Sequence, residues 1–309
     1  MLVVVALGGN ALLRRGEALD VENQRRNIAA AVDALSELAG EHRLVVTHGN
    51  GPQVGLLALQ AESYAGTAPY PLDVLGAESE GMVGYLLEQA LEGRTGGQPV
   101  ATLLTEVLVD PRDPAFGNPT KPIGPVYDSA AAHRLARERG WSIAPDGERW
   151  RRVVASPEPQ RVIELQTIRI LIEAGVLVIC AGGGGIPVVL GDHGGLRGIE
   201  AVIDKDLSAA LLARELAADA LLLLTDVPFV ERDHGTPQAT PIRAVAATEI
   251  DPGEFEQGSM GPKVRAARRF AEGGGIAAIG ALADAAAILA GDAGTRIEAP
   301  PPGKRAVGD

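Results

Sequence analysis

Short apolar runs alternate with amphipathic segments along most of the chain. Residues 2–7 are continuously apolar and predict a strand buried on both faces, whereas the apolar positions of 21–39 recur at helical spacing. The same patterns predict further strands at 44–47, 100–109, 176–181, 186–190, 220–225 and 276–279. They predict further helices at 54–62, 74–91, 160–174, 206–216, 262–272 and 284–290.

Repeated units of strand, glycine turn and helix are typical of an α/β fold. They indicate a mostly parallel sheet covered by helices on both faces, with the ligand outside the carboxyl ends of the strands. The length of 309 residues suits one extended domain with a subdomain. Residues 111–158 break the alternation with repeated prolines and hold both tryptophans, so we expect a protruding subdomain there.

Composition and charge exclude several classes of protein. Hydrophobic residues make up 46% of the chain, which excludes a disordered chain. The net charge of −12, without a basic run, argues against a nucleic-acid partner. One cysteine, Cys180, can form neither an internal disulfide nor a CxxC metal site and fits a reducing compartment. With no expected signal peptide or membrane span, we predict a cytoplasmic protein that contacts no membrane.

Three predicted turns are rich in glycine: 8–10, 49–53 and 182–185. Consecutive residues without Cβ let several backbone N–H groups point into one concavity, which suits a phosphate or a carboxylate. A lone turn of this kind is also ordinary turn chemistry. Neither the GxGxxG fingerprint nor the GxxxxGK[ST] loop occurs at these turns, which disfavours dinucleotide and P-loop sites.

Lysine is scarce, because only four of the 28 basic residues are lysines. Lys121, Lys205 and Lys263 lie in segments framed by glycine, proline or aspartate, and Lys304 lies in the tail. A compact ammonium suits a transferring phosphoryl group, so the first three are candidate catalytic residues, although chance retention on the surface is the alternative. Asp206 either orients the lysines or binds magnesium indirectly, and the alternative is that it serves only as a helix-capping carboxylate.

Six motifs, in order, resemble those of the carbamate kinases, a branch of the amino-acid kinase superfamily. They are ALGGNALL (6–13), HGNGPQVG (48–55), NPTKPIGP (118–125), GGGGIPVV (182–189), EAVIDKD (200–206) and SMGPK (259–263). The resemblance implies reversible phosphoryl transfer between ATP and carbamate, giving ADP and carbamoyl phosphate, often run towards ATP. It also implies a three-layer α/β/α sandwich with an open, mostly parallel sheet, a homodimer, and Mg²⁺ brought by the nucleotide and held mainly by phosphate oxygens. The lobes would be 1–180 for carbamoyl phosphate and 181–309 for nucleotide.

Carried over by motif, the resemblance assigns roles to residues of this chain. Lys121, Lys205, Asp206 and Lys263 would be catalytic, with Lys205 and Lys263 on the β- and γ-phosphates. The substrate would bind at Gly8, Gly9, Asn10, Gly49, Asn50 and Gly51. The nucleotide would lie near Gly183, Gly184, Thr225, Asp226, Val227 and Met260. No protein ligand for a metal is expected.

Two other functions stay open at this point. The first is a kinase of the same superfamily for another small oxyanion, and the second is a non-catalytic nucleotide or anion sensor. Retention of the three motif lysines argues against the sensor. The chain departs from the family pattern at Ala155, within the predicted protruding subdomain, and at Pro228-Phe229, where the resemblance implies an adenine pocket, so the resemblance does not extend to the details of these two regions.

Overall fold

The computed structural model describes residues 1–9, 12–14, 16–64, 66–191, 194–256 and 258–299. Its strands are β1 Leu2–Leu7, β2 Arg43–His48, β3 Val100–Thr102, β4 Glu106–Val109, β5 Lys121–Tyr127, β6 Ser142–Asp146, β7 Arg149–Val154, β8 Pro159–Val162, β9 Leu177–Ile179, β10 Ile186–Leu190, β11 Leu196–Gly198, β12 Ala220–Thr225, β13 Val230–Arg232, β14 Thr240–Ile242, β15 Ala244–Ala246, β16 Ile276–Ala281 and β17 Thr295–Glu298. Its helices are α1 Val21–Ala39, α2 Gly51–Ser63, α3 Leu72–Leu91, α4 Ser129–Arg139, α5 Leu165–Glu173, α6 Lys205–Glu215, α7 Met260–Glu272 and α8 Ala285–Ala290.

The central sheet has eight strands in the order β15-β17-β16-β12-β1-β2-β9-β3. Strand β1 is parallel to β12 and β2, and β16, β9 and β3 continue in the same direction. At one edge, β17 runs antiparallel to β16, and β15 follows the direction of β17. The predicted α/β fold with a mostly parallel sheet is confirmed.

Helices cover both faces of this sheet because successive residues of a buried strand point in opposite directions. Val4 packs in a core cluster with residues of α5, α6 and α7. Its neighbour Val5 packs in a second cluster with residues of α1, α3 and α8. The result is three layers, with the sheet between two sets of helices. No helix within the described ranges is long and apolar enough to cross a membrane.

Three smaller sheets accompany the central one in the part of the chain that the structure describes, and the smallest is the antiparallel pair of β13 and β14. One is a mixed sheet of β11, β10, β4 and β8. Another is an antiparallel sheet of β5, β7 and β6, and helix α4 packs with it. The sheet with α4 lies inside the segment expected to protrude. Because β1 of the predicted amino lobe pairs directly with β12 of the predicted carboxyl lobe, one sheet runs through both lobes, and the lobe boundary stays a prediction.

Two predicted elements are wrong in extent. The strand expected at 100–109 is split, and its halves pair in different sheets, β3 with β9 and β4 with β10. The helix expected at 160–174 begins only at Leu165, because Pro159–Val162 pairs with β4 as a strand. Both differences arise from pairing with partners distant in sequence. The three-residue strands β11, β13, β14 and β15 were not predicted.

Candidate functional site

A cavity of about 890 Å³ opens at the carboxyl ends of β1, β2 and β12. It is lined by most of the residues predicted for the site: Gly8, Gly9, Gly49, Asn50, Gly51, Lys121, Gly183, Lys205, Asp206, Thr225, Asp226, Val227, Met260 and Lys263. Asn10, predicted to bind substrate, lies outside the described residues, as do Lys304 and the tail. Six motifs spread over more than 200 residues therefore meet around one cavity.

The first two glycine turns pack against each other at the cavity floor. The N–H of Gly8 donates to Leu224 O at 2.8 Å, which ties the turn after β1 to β12. A Cβ at Gly49 would lie 3.4 Å from Gly9 Cα and 3.5 Å from Lys205 Cδ. Both distances are ordinary van der Waals contacts, so the turn after β1 and the aliphatic part of Lys205 pack closely around Gly49.

Asp206 holds two of the three lysines. Lys263 Nζ donates to Asp206 Oδ2 at 3.0 Å, and Lys205 Nζ donates to the other oxygen, Oδ1. All three side chains are at most 13% exposed, so the pairs are largely shielded from water. One carboxylate therefore presents two ammonium groups to the same cavity.

The third lysine is held by a different carboxylate. Lys121 Nζ donates to Asp204 Oδ2 at 2.6 Å. The other oxygen of Asp204 accepts from the N–H groups of Asp206 and Leu207 and so caps the start of α6. The capping carboxylate is thus Asp204, and Asp206 is left to pair with the lysines. Sequence reasoning missed Asp204, although an aspartate just before a predicted helix is a capping signal.

Burial and charge shift the pKa values of this cluster. Burial opposes ionisation of Asp206, but the ammoniums of Lys205 and Lys263 outweigh it and hold its pKa below the ordinary value. Burial, with a contribution from the charge of Lys263, lowers the pKa of Lys205 to about 8 despite the nearby carboxylate. Burial also opposes the charge of Lys263, but Asp206 outweighs it and raises the pKa of Lys263. Lys263 therefore stays charged at neutral pH, whereas the pKa of Lys205 is lowered to about 8.

Helix α3 supports both the turn at Asn50 and the turn at Gly182. The buried Ser79 Oγ accepts from Asn50 Nδ2 at 2.7 Å. The next residue, Glu80, accepts from Gly182 N at 2.8 Å and from Thr105 N at 3.3 Å. Glu80 is 1% exposed, and burial raises its pKa to about 8. Sequence reasoning missed Glu80; its signal is an acidic residue at the core spacing of a predicted helix.

The turn at 182–185 serves the cavity through only one of its two predicted residues. Gly183 lines the cavity, and a Cβ there would lie 2.1 Å from Asn50 Nδ2. Gly184 is not among the lining residues, and its place near the phosphates stays a prediction. Its carbonyl accepts from Ser208 Oγ at 2.7 Å, and a Cβ at its φ of +99° would lie 2.6 Å from Ile203 O. Gly184 joins the turn to α6.

Apolar side chains also line the cavity. They are Val227, Phe229, Phe255 and Met260, and acidic residues of the same segments, such as Glu231 and Glu254, line it with them. The guanidinium of Arg243 lies 3.9 Å from the ring centroid of Phe229. The departure noted at Pro228-Phe229 therefore falls on the cavity wall, where the resemblance expects the nucleotide.

Carboxylates do not form a metal-ligand set here. Among the described residues, no group of three or more His, Cys, Asp or Glu side chains could hold a metal ion. Both oxygens of Asp206 face ammonium groups, and Asp204 is shared between Lys121 and the start of α6. The residues at the cavity thus fit an anionic ligand better than a resident metal ion.

Comparison with known proteins agrees with this geometry. The family model of the amino acid kinase family matches residues 1–279. Carbamate kinase from Haemophilus influenzae is 52% identical over 96% of this chain and 96% of its own, and that from Rhizobium meliloti is 53% identical over 96% and 93%. The structure of carbamate kinase from Giardia lamblia bound to AMP-PNP superposes with a TM-score of 0.87, at 40% identity over 97% of this chain and 98% of that chain.

The fold and the cavity are those of a phosphotransferase of the amino acid kinase family, and the chain belongs to that family. Within it, the relatives that match over nearly the whole chain place it in the carbamate kinase branch.

Proposed function

We propose that this chain catalyses reversible phosphoryl transfer between ATP and carbamate, and that it uses carbamoyl phosphate to make ATP. The observation that carries the proposal is the cluster of Lys121, Lys205 and Lys263, held by two aspartates around one cavity with the glycine turns. The cavity of about 890 Å³ lies within the range of small-molecule sites.

The reaction can proceed without a protein nucleophile. A terminal oxygen of ADP attacks the phosphorus of carbamoyl phosphate, and the bond between phosphorus and the carbamate oxygen breaks. Carbamate leaves with the electron pair of that bond, already an oxyanion, so no proton needs to move. The protein's task is to position the two anions and to stabilise charge on the transferring oxygens.

We assign these tasks to the residues at the cavity. Lys205 and Lys263 would contact the oxygens of the transferring group and the adjacent phosphate, and Asp206 would keep them apart and aligned. Lys121 would contact the carbamoyl phosphate side, together with N–H groups of the turns at Gly8–Gly9 and Gly49–Gly51. Val227 and Met260 would border the nucleotide. Preorganised ammonium groups need little rearrangement as charge develops.

The divalent ion belongs to the nucleotide in this proposal. Phosphoryl transfer in kinases generally requires one, and we expect Mg²⁺, coordinated mainly by phosphate oxygens and water. Its chemistry would be to neutralise charge on the phosphates.

An assay of ATP formation from ADP and carbamoyl phosphate tests the proposal. We expect turnover at millimolar carbamoyl phosphate and a lower kcat/KM with acetyl phosphate, which represents the rival class of acyl phosphate substrates. Lys205→Ala and Lys263→Ala should each lower kcat about 10²- to 10³-fold. Arg25→Ala, on the exposed face of α1, is the matched removal of a positive charge and should leave kcat unchanged. Absence of turnover, or Lys variants as active as the parent, would favour the oxyanion kinase or the sensor.

A homodimer and a cytoplasmic location complete the proposal. Val74, Met82 and Tyr85 share one face of α3 and are 36–55% exposed, with Leu104 nearby. Such an apolar face suits a self-complementary contact. Sedimentation should give twice the chain mass, and Tyr85→Asp should shift it towards the single-chain mass. The location rests on the single cysteine, Cys180, which is buried.

A further inference from the structure

Two motif glycines lie outside the cavity wall and face each other. Gly55 closes the motif HGNGPQVG on α2, and Gly124 belongs to NPTKPIGP on β5. A Cβ built at Gly55 would lie 1.9 Å from Gly124 Cα and 2.1 Å from Gly124 N. Backbone therefore meets backbone at this point, and not even a methyl group fits between helix and strand.

The strand has its special geometry at the same residue. Gly124 has φ +70°, in the left-handed region, and the register between β5 and β7 shifts between Ile123 and Val126. A bulge of this kind bends a strand and redirects its side chains. Ile123, 1% exposed, packs with Val54 and Ala58 on either side of Gly55. The bend in β5 and the apolar contact of Ile123 together allow β5 to pack closely against α2.

The two elements carry opposite sides of the proposed substrate site. Helix α2 begins at Gly51, at the end of the turn that lines the cavity, one helical turn before Gly55. Strand β5 begins at Lys121, three residues before Gly124. The distance between α2 and β5 therefore sets how far Lys121 reaches over the turn at Gly49–Gly51.

We propose that the Gly55–Gly124 contact positions Lys121, so that Gly55 is a positioning residue for phosphoryl transfer. The inference rests on the proposed function, because it assigns Lys121 to the carbamoyl phosphate side. A side chain at Gly55 would push β5 outwards and carry Lys121 Nζ away from Asp204 Oδ2, 2.6 Å from it in the structure. The nucleotide side of the site, at Lys205 and Lys263, would stay as it is.

Gly55→Ala tests this directly. We expect kcat/KM for carbamoyl phosphate to fall about 10²-fold, as a displacement of about 1 Å can cause, while the Kd for ADP changes less than about twofold. Gly76→Ala is the matched control, because Gly76 also lies inside a helix and a Cβ there meets nothing within 4 Å. It should leave both quantities unchanged.

The same substitution in the Lys121→Ala variant separates loss of Lys121 positioning from a general disturbance of the fold. In Lys121→Ala, adding Gly55→Ala should change kcat/KM by less than about threefold, because the residue being positioned is gone. A loss that persists in full in that background would overturn the inference. So would a Gly55→Ala variant with unchanged kcat/KM for carbamoyl phosphate.

Two further results keep the test decisive. If Gly55→Ala does not bind ADP, Gly124→Ala replaces it, since its Cβ stays 3.4 Å from Gly55 Cα and the strain is confined to one positive φ. The same selective loss is expected, and full activity would overturn the inference. An inactive parent chain would instead refute the proposed function, whereas an active parent with no selective loss refutes only the role of Gly55.

Discussion

The two lysines that Asp206 contacts have different pKa values, although the carboxylate raises the pKa of both. Lys263 receives a raised pKa and keeps its charge over the whole physiological range. Lys205 is also close to the positive charge of Lys263, and burial lowers its pKa to about 8. The free protein near pH 8 therefore contains molecules with Lys205 charged and molecules with Lys205 neutral. A bound polyphosphate favours the charged form.

Binding of ADP should consequently take up protons. At about pH 8 half of the Lys205 side chains lack a proton, and the phosphates of ADP raise the pKa, so we expect uptake of about half a proton per site. ADP itself contributes little, because a phosphate's second pKa lies near about 6. Calorimetric titrations in buffers of different ionisation enthalpy measure this uptake, which should fade at about pH 6.5.

Lys205→Arg is the matched control for proton uptake. A guanidinium keeps the positive charge and does not lose its proton in proteins. Uptake on ADP binding at pH near 8 should therefore disappear in this variant. Equal uptake by the parent chain and Lys205→Arg would show that another group titrates.

At the scale of the elements, the start of α6 connects the cap of a helix with the site. Asp204 uses Oδ1 to cap α6 and Oδ2 to hold Lys121, which comes from a strand 83 residues earlier. The first residue of the helix is Lys205 and the second is Asp206. One turn of helix therefore sets the positions of three charged groups.

Substitutions of Asp204 should separate the two tasks of its carboxylate. Asp204→Asn keeps a side-chain oxygen for the cap, whereas Asp204→Ala removes it, so the alanine variant should be less stable than the asparagine variant by about 1 kcal/mol. Both should raise KM for carbamoyl phosphate, because Lys121 loses its anion. Urea unfolding at constant m-value and steady-state kinetics measure these effects.

Asp20 at the start of α1 provides the control. Its Oδ1 accepts from Asn23 N, but the helix lies away from the cavity. Asp20→Ala should cost a similar free energy of unfolding and leave KM unchanged. A KM that rises equally in the Asp20 and Asp204 variants would mean that loss of stability, not the link to Lys121, causes the effect.

The elements that the sequence predicted well are those whose pattern is local. Helix α1 was predicted at 21–39 and observed at Val21–Ala39, because its buried positions recur along the helix itself. The prediction for 100–109 was wrong because nothing local marks the break. At that break, Thr105 N donates to Glu80 on α3, and the next strand joins another sheet. Pairing at long range decided the outcome.

The site shows the same division at the scale of the whole molecule. Glycine turns and scarce lysines are readable from sequence, since each lies in a short motif. The pairing of Lys121 with Asp204 and the support of Gly182 by Glu80 join residues 83 and 102 positions apart, which no local pattern reveals. The resemblance supplied the arrangement that the local motifs lacked.

Two buried groups with opposite shifts make the stability of the molecule depend on pH. His48 and Glu80 both contact Gly182 between β2 and α3. Burial lowers the pKa of His48 to about 4, from 6.5, and raises that of Glu80 to about 8, from 4.5. Both side chains are therefore uncharged in the folded protein near pH 6. In the unfolded chain at that pH, much of His48 carries a proton and most of Glu80 has lost one.

The signs of the two contributions differ. Between pH 4 and 6.5 the unfolded chain holds a proton on His48 that the folded protein lacks, so stability rises with pH. Between pH 4.5 and 8 the folded protein holds a proton on Glu80 that the unfolded chain lacks, so stability falls with pH. The two contributions oppose each other between pH 4.5 and 6.5, and above pH 6.5 only that of Glu80 remains of the two. Near pH 8 and above, Lys205 opposes it, because its folded pKa is lowered to about 8 and the unfolded chain holds a proton that the folded protein loses.

Stability should therefore fall between about pH 6.5 and 7.5, with a limiting slope of about 1.4 kcal/mol per pH unit from this one group. Glu80→Gln removes the ionisation, keeps an oxygen for Gly182 N, and should flatten this part of the curve. Glu88→Gln is the matched control, because Glu88 on the same helix also accepts a strand N–H, from Thr102, and its curve should parallel that of the parent. Urea unfolding at about pH 6.5, 7 and 7.5 measures the slopes. If the stability of Glu80→Gln falls with pH as steeply as that of the parent chain, Glu80 is ionised in the folded protein. The N–H of Gly182 would then be held by a charged carboxylate.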